Sequence, residues 1–351
     1  MKAPVCVVPA LIWPSTGMEP HLTQTALPAL SSLLAGAPTD EAPAQALEVW
    51  LAAQFGIAER APLALMRLAG ETDFLAETPE LDSTAVWLCA DPVAMTFSRD
   101  NLLLSEAAGL DVSAEDARAL LADLNATFAD VGRFYAASPT RWYLRVAPGF
   151  GGTDDVIFAP LTDVAGRPVA YFQPEGPDVT RWARLSNELQ VFCYNHPVNA
   201  AREASGRAPL NAMWLWGNGH LPAHALRAPA ADIAGQALML RGLLRLAGST
   251  ATTPGPQVAW QLADALAAPA QLRQGDAWLA ALAALDRELF QPYAEALADG
   301  RIEALTLIAP AEHATVTWHV RRRPRWQFWH RPLSAAALAA TLTRPDRRTA
   351  P

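Results

Sequence analysis

Val5-Cys-Val-Val-Pro-Ala-Leu-Ile12 is a continuous apolar run with no polar alternation. A strand that shows one face to water alternates, whereas a strand covered on both faces does not. The run therefore predicts a strand in the interior of a sheet, with helices on both sides. Pro209-Leu-Asn-Ala-Met-Trp-Leu-Trp216 has the same texture and runs into Gly217-Asn-Gly219. Around these two runs, helical and extended patterns alternate. Helices are expected up to Leu34, closed by Gly36, and over 44–55, 61–68, 231–246 and 277–298. Further strands are expected over 304–308 and 315–320. Apolar strands separated by helices predict an α/β fold, here a mainly parallel sheet flanked by helices.

Near residue 82 the texture changes. Short extended stretches over 85–90, 101–104, 141–146 and 156–161 surround one amphipathic helix. Ser113-Ala-Glu-Asp116 fits the capping box that opens it, and Leu120, Leu121, Leu124 and Phe128 form its apolar face. From 178 to 204 the chain is helical, with Trp182, Leu185, Leu189, Phe192 and Cys193 mostly at spacings of three to four. The expected organisation is a discontinuous core of residues 1–81 and 205–332, an inserted α+β domain of residues 82–204, and a flexible tail over 333–351.

A chain of 351 residues has room for about two domains. With 51% hydrophobic and 18% charged residues it can bury a large core. The formal net charge of −8 argues against a general nucleic-acid or membrane-surface role, which leaves a basic footprint. Lys2 is the one lysine among 27 positive side chains, so the rest are arginines. Schiff-base, P-loop and general-base lysine chemistry are thereby excluded. Cys6, Cys89 and Cys193 lie far apart in apolar sequence, without a C-x-x-C pair, and read as buried small hydrophobes. No run is long and apolar enough to span a bilayer, since Arg241 and Arg245 interrupt the most hydrophobic helix. The first residues carry no signal-peptide cleavage pattern, so the expected location is the cytoplasm.

Three clusters carry candidate chemistry. The densest holds Asn187, Glu188, His196, Asn199, Arg202, Asn211, Trp216, Gly217 and Gly219. It suits either an anion at a strand's carboxyl end, where glycines admit backbone N–H groups, or the shaping of helix ends. The second is Asp91 with Arg99 and Asp100, which suits a polar ligand or a salt bridge. The third is Arg321 to Pro332, where arginines interleave with Trp326, Phe328 and Trp329. Docking of those aromatics on the sheet edge competes there with stacking on nucleic-acid bases, and the acidic chain favours docking. Glu312-His313 after a strand is a weak metal candidate. His220 and His224 are separated by Pro222, which breaks a helical metal face. G-x-S-x-G, G-x-G-x-x-G and H-E-x-x-H motifs are absent from the sequence.

Asn187-Glu188, His196-Pro-Val-Asn199, Arg202, Gly206-Arg-Ala-Pro209, Asn211-Ala-Met-Trp-Leu-Trp-Gly217 and Gly219 together resemble the RpfE-type regulatory proteins of proteobacteria. Ala90-Asp-Pro-Val93, Arg99-Asp100 and Arg141-Trp-Tyr143 extend the resemblance over nearly the whole chain. More distantly the sequence is similar to archaeal-type cofactor-independent phosphoglycerate mutases of the alkaline phosphatase superfamily. This resemblance implies an alkaline-phosphatase-like core, an inserted lid, and a phosphorylated substrate handled between them. It also implies a catalytic set that this sequence does not carry. The aspartate that ends the mutases' first strand is replaced by Ile12-Trp13-Pro14, and no histidine stands between Ala259 and Gly275. Glu312-His313 aligns with their late Asp-His pair, and Ser15 is merely the nearest serine to the phosphoryl acceptor. A two-metal site needs several carboxylates and histidines. The implied function is therefore a catalytically degenerate mutase-like regulatory protein that holds a small anionic, phosphorylated metabolite or a protein partner, with no cofactor. The alternative is an active mutase or phosphatase with an altered Mn or Zn site.

Overall fold

The computed structural model describes residues 3–57, 60–77, 85–98, 101–106, 109–151, 156–323 and 331–343. The chain forms two compact units. One comprises Met1–Trp50, Ala228–Leu244 and Ser249–Pro351, the other Leu51–Arg227 and Arg245–Gly248.

The first unit is built on the opening apolar run. Strand β1 (Val5–Val7) lies between β10 (Ala304–Pro310) and β9 (Trp260–Leu262), parallel to both. Strand β8 (Ile233–Ala234) pairs parallel with β9, while β11 (Ala314–Arg321) and β2 (Thr39–Pro43) extend the other edge antiparallel. The six-stranded order is β2-β11-β10-β1-β9-β8. Cys6, Val7 and Val8 are fully buried, which is why the run shows no alternation. Helices α1 (Glu19–Gln24), α2 (Pro28–Leu34), α10 (Leu238–Leu246), α11 (Ala267–Gln271), α12 (Gly275–Leu285) and α13 (Gln291–Ala298) complete most of this layer. The expected helix over 277–298 is interrupted by a π-helical turn, Asp286–Phe290. The interruption has a use: the buried Asp286 carboxylate accepts from Ala29 and Leu30 N–H, at 3.2 and 2.8 Å. It thereby satisfies two orphan donors at the start of α2.

Two expectations for this unit change. The helix expected over 231–246 begins only at Leu238, because β8 occupies its first part and Gly235 follows at φ +151. A Cβ at Gly235 would sit 2.6 Å from Leu240, so no other residue fits that corner. The tail expected to fray from 333 instead forms α14 (Ala335–Leu342), capped by Ser334 and burying Leu338, Ala339 and Leu342. The Arg321–Pro332 segment falls largely outside the described residues. Within them, Arg322 pairs with Glu303 at 3.0 Å and Arg323 donates to the Ala35 carbonyl.

The second unit holds an antiparallel sheet around the long strand β3 (Trp87–Ser98). It pairs with β4 (Asn101–Glu106), β6 (Arg141–Val146) and β7 (Ala212–Trp216), while β5 (Gly132–Ser138) pairs with β6. Helix α3 (Leu47–Gln54) leads in from the first unit's residues. Helices α4 (Leu63–Gly70), α5 (Thr72–Glu77), α6 (Ala114–Thr127), α7 (Leu161–Val164), α8 (Val179–Asn195) and α9 (Pro197–Ala204) complete the list. Ser113 and Asp116 form the capping box of α6 as the sequence implies. Trp182, Leu185, Leu189 and Cys193 are the buried stripe of α8. The stretch over 156–161 contributes only an isolated bridge, between Ile157 and Glu175.

The boundaries of this unit differ from the expected 82–204. Strand β7, expected in the first sheet, pairs antiparallel with β3 from Cys89↔Trp216 to Val93↔Ala212. Helix α4 is buried along all eight residues and packs on β3. Both flanks of the insert therefore belong to its core, and the compact unit runs from Leu51 to Arg227. No helix of the described residues is long and apolar enough to cross a membrane.

Candidate functional site

In open α/β sheets ligands gather beyond the carboxyl ends of the central strands. Beyond β1 the chain places Leu11, Ile12 and Trp13, all buried. Trp13 meets Trp278 edge-on at 5.3 Å between centroids, and Trp278 Nε1 donates to the Ala10 carbonyl at 2.9 Å. Glu312 and His313 lie in the same place, lining a cavity of about 10 Å³ with Ile12, Trp13 and Pro14. Arg273 pairs with Glu312 at 2.7 Å, so a guanidinium already neutralises that carboxylate. His313 Nε2 lies 3.2 Å from the Pro14 carbonyl. A carbonyl only accepts, so Nε2 carries the proton in that contact and the free lone pair of the ring lies on Nδ1. Among the described residues no three His, Cys, Asp or Glu side chains converge as a metal site. Ser15 has no hydrogen-bonded base among those residues either. These groups do not fit the two-metal centre of a phosphoryl-transfer enzyme.

Asp91 lies at the heart of the second unit, 1% exposed. Arg67 from α4 grips it with both terminal nitrogens at 2.7 and 2.9 Å, and it also accepts from Trp216 Nε1 and Trp142 N–H. Arg67 Nε donates to the Tyr143 hydroxyl at 3.1 Å, and Tyr143 donates to Glu71 at 3.1 Å. Arg141 closes the set with a bidentate pair to Glu71 at 2.6 and 3.0 Å. Burial opposes the charge on Arg67, but the Asp91 carboxylate outweighs it and holds the guanidinium protonated well above its ordinary value. Burial also pushes the Tyr143 phenol well above its ordinary range, so it remains a donor. Two guanidinium groups balance two carboxylates, and each nitrogen of the buried Arg67 fork has a partner. Such a closed set specifies packing more than it binds ligands. Arg67 and Glu71 were not singled out from the sequence. The available signal was one arginine inside the apolar run Leu63-Ala-Leu-Met-Arg-Leu-Ala69, which demands a buried partner.

Arg202 is fully buried. Its Nε donates to the Ala208 carbonyl at 2.8 Å. One terminal nitrogen reaches Asp116 at 2.7 Å and the Asp111 carbonyl at 3.1 Å, and the other donates to the Leu110 carbonyl. Asp116 also pairs with Arg207 at 2.9 Å. Burial would raise the Asp116 carboxyl, but the Arg202 and Ser113 hydrogen bonds with the Arg207 charge hold it below the usual carboxylate range. Asn199 bridges Cys193 and Leu210 by three hydrogen bonds. His196 caps α9 through Nδ1, which accepts from Val198 N–H, while Nε2 meets Asp123 at 3.0 Å.

Asn211 clamps Met95 N–H and carbonyl at 2.7 and 2.9 Å. Gly217 and Gly219 have φ +80 and +142, and an added Cβ would meet Ala64 N at 2.8 Å and the Arg60 carbonyl at 2.6 Å. Close backbone packing, rather than an anion, accounts for these glycines. Asn187 and Glu188 lie on α8 along a groove of about 1010 Å³ that also carries Phe128, Val131, Val191 and Phe192. Glu188 pairs there with Arg184 at 2.8 Å. The structure thus gathers most of the expected residues in one unit, where most hold α8, α9 and β7 against β3 and α6. Arg99 and Asp100 lie outside the described residues.

No family model matches the chain. It is 26% identical over 144 residues to a probable 2,3-bisphosphoglycerate-independent phosphoglycerate mutase of Geobacter sulfurreducens, covering 41% of this chain and 35% of that protein. To the corresponding mutase of Methanosarcina mazei it is 29% identical over 151 residues, 41% and 36% of the two chains. To mutase 2 of Methanothermobacter thermautotrophicus it is 34% identical over 149 residues, again 41% and 36%. The match spans little more than a third of these relatives' length. The PH0037 protein of Pyrococcus horikoshii shares the fold at a TM-score of 0.51 with 12% identity, covering 98% of this chain and 94% of that one. The chain is thus distantly similar to cofactor-independent phosphoglycerate mutases over part of their length, and it shares its α/β fold with the PH0037 protein.

Proposed function

We propose that this protein is a catalytically degenerate, phosphoglycerate-mutase-like protein with a regulatory role, as the RpfE-type resemblance implies, and that it recognises a small phosphorylated anion without converting it. One observation carries the reading: the carboxyl end of β1 is filled by Trp13 and Trp278, and Glu312 and His313 are engaged by Arg273 and Pro14. The names of the relatives supply the ligand class. Of the two arginines expected to contact that ligand, Arg202 is held by Asp116 and by backbone carbonyls, and the anion is assigned here to Arg99 on the sequence resemblance.

The test combines turnover with binding. Protein supplied with Mn²⁺ or Zn²⁺ is expected not to interconvert 3- and 2-phosphoglycerate. Titration calorimetry with 3-phosphoglycerate is expected to give saturable heat that Arg99→Ala diminishes. Stoichiometric metal retained through desalting, together with turnover that His313→Ala abolishes, overturns the reading in favour of an active mutase. Absence of binding by 3-phosphoglycerate and by inorganic phosphate removes the anion and leaves a protein partner as the recognised species.

A further inference from the structure

A second cavity in the same unit has a different chemistry. It measures about 190 Å³ and lies between β7, the side of α8, and the segment from Phe158 to Pro174. Its walls are apolar, from Met95, Phe158, Phe172, Met213 and Leu215 among others. Helix α8 contributes Ser186, Asn187 and Gln190, whose spacing puts them on adjacent turns of one face. These three side chains have no hydrogen-bond partner among the described residues. Gln173 adds a further amide, whose nitrogen donates to Val169 and leaves its oxygen available. No charged side chain lines the cavity among those residues.

Side-chain hydrogen bonds hold the walls. Asn211 fixes Met95 by two hydrogen bonds, Trp214 Nε1 donates to the Ala159 carbonyl at 2.9 Å, and Asn218 donates to the Val156 carbonyl at 2.7 Å. A cavity with fixed walls loses little freedom when a ligand enters. Its size is informative, since an engineered apolar cavity of about 150 Å³ holds one benzene ring. A single ring with a small substituent is therefore the fitting size. The polar complement is amide-like, presenting donors and acceptors together without a formal charge. An anion entering here would lose water without gaining a cation.

We infer that this pocket binds a neutral, single-ring molecule carrying a carboxamide or lactam edge. The edge would pair with the Gln190 and Asn187 amides and the Ser186 hydroxyl, and the ring would lie against Phe158, Phe172 and Met213. This site is independent of the phosphorylated anion proposed above, and the two ligands should not compete.

The experiment uses nicotinamide as probe and its anionic isostere nicotinate as control, with the full-length protein and saturation-transfer NMR as readout. Saturable binding of nicotinamide is expected, with nicotinate weaker by about ten-fold or more because its carboxylate finds no partner. Gln190→Leu should weaken nicotinamide by about five-fold, the size of one lost hydrogen bond. Ser186→Phe should fill the pocket and abolish binding. Circular dichroism checks that both variants fold, and Gln190→Leu, a half-buried change on a helix side, carries the test if Ser186→Phe does not. Excess 3-phosphoglycerate should leave nicotinamide binding unchanged. No saturable binding to the wild type, equal binding of nicotinate, or unchanged binding in Gln190→Leu overturns the inference.

Discussion

Arg202→Met separates a structural from a ligand-binding role for the residue that the sequence singles out most strongly. Methionine keeps much of the aliphatic bulk and removes the fork. The Leu110, Asp111 and Ala208 carbonyls then lose their donor, and Asp116 retains only Arg207 and the Ser113 capping box. Removing one partner of a buried ion pair costs about 3–5 kcal/mol, because the groups left behind stay desolvated. The part-buried Asp116–Arg207 contact moderates the loss on one side, while the orphaned carbonyls add to it, so about 4 kcal/mol is expected. With a urea dependence of about 2 kcal/mol per molar, the unfolding midpoint should fall by about 2 M. Tryptophan fluorescence follows the transition, and hydrogen exchange over 110–131 and 197–216 locates it. Arg202→Lys retains the charge but not the planar fork and should lose about half as much. A variant with wild-type stability that no longer binds 3-phosphoglycerate would refute this reasoning and return Arg202 to the ligand site.

Three further outcomes follow from the same geometry. The Asp116 carboxyl is held below its ordinary value when folded, so its contribution to stability is present above about pH 4 and fades as pH falls through the folded value; Asp116→Asn should flatten the acid limb of a urea-midpoint profile between neutral pH and pH 3. Gly219→Ala should cost about 1–3 kcal/mol, measured by thermal unfolding, since φ +142 and a Cβ 2.6 Å from the Arg60 carbonyl both oppose a side chain. Burial pushes the Cys6 and Cys193 thiols up to about 12, and all three cysteines are buried. A thiol-specific chromogenic reagent should therefore label native protein only on the timescale of unfolding, and all three sites at once in denaturant.

Features set by a few consecutive residues were legible without the structure. The unbroken apolar run at Val5 marks an interior strand, Ser113 and Asp116 mark a helix start, and the stripe from Trp182 to Cys193 marks the buried side of α8. Arg141 to Val146 is a strand as its alternation implies. The same local logic shows the chemistry at the end of β1, where Ile12-Trp13-Pro14 leaves no carboxylate for a metal.

What the local pattern could not decide was pairing and purpose. An apolar strand such as β7 is equally content in either sheet; its register on β3 is a long-range choice, made by Cys89 meeting Trp216 and Val93 meeting Ala212. The same limit hid the role of Arg67 on α4, because an arginine amid leucines announces a buried partner but not that it is Asp91. It also left open the use of Arg202, Asn199 and the Gly217–Gly219 turn, whose composition suits an anion site and a packed helix junction alike. Hydrogen-bonding capacity is a property of the residue, whereas its use depends on which carbonyls the fold brings within reach. By itself the sequence determined the α/β class and the interior strand. Only the tertiary structure decided that Arg202 holds a junction, and that Ser186, Asn187 and Gln190 open on an uncharged pocket.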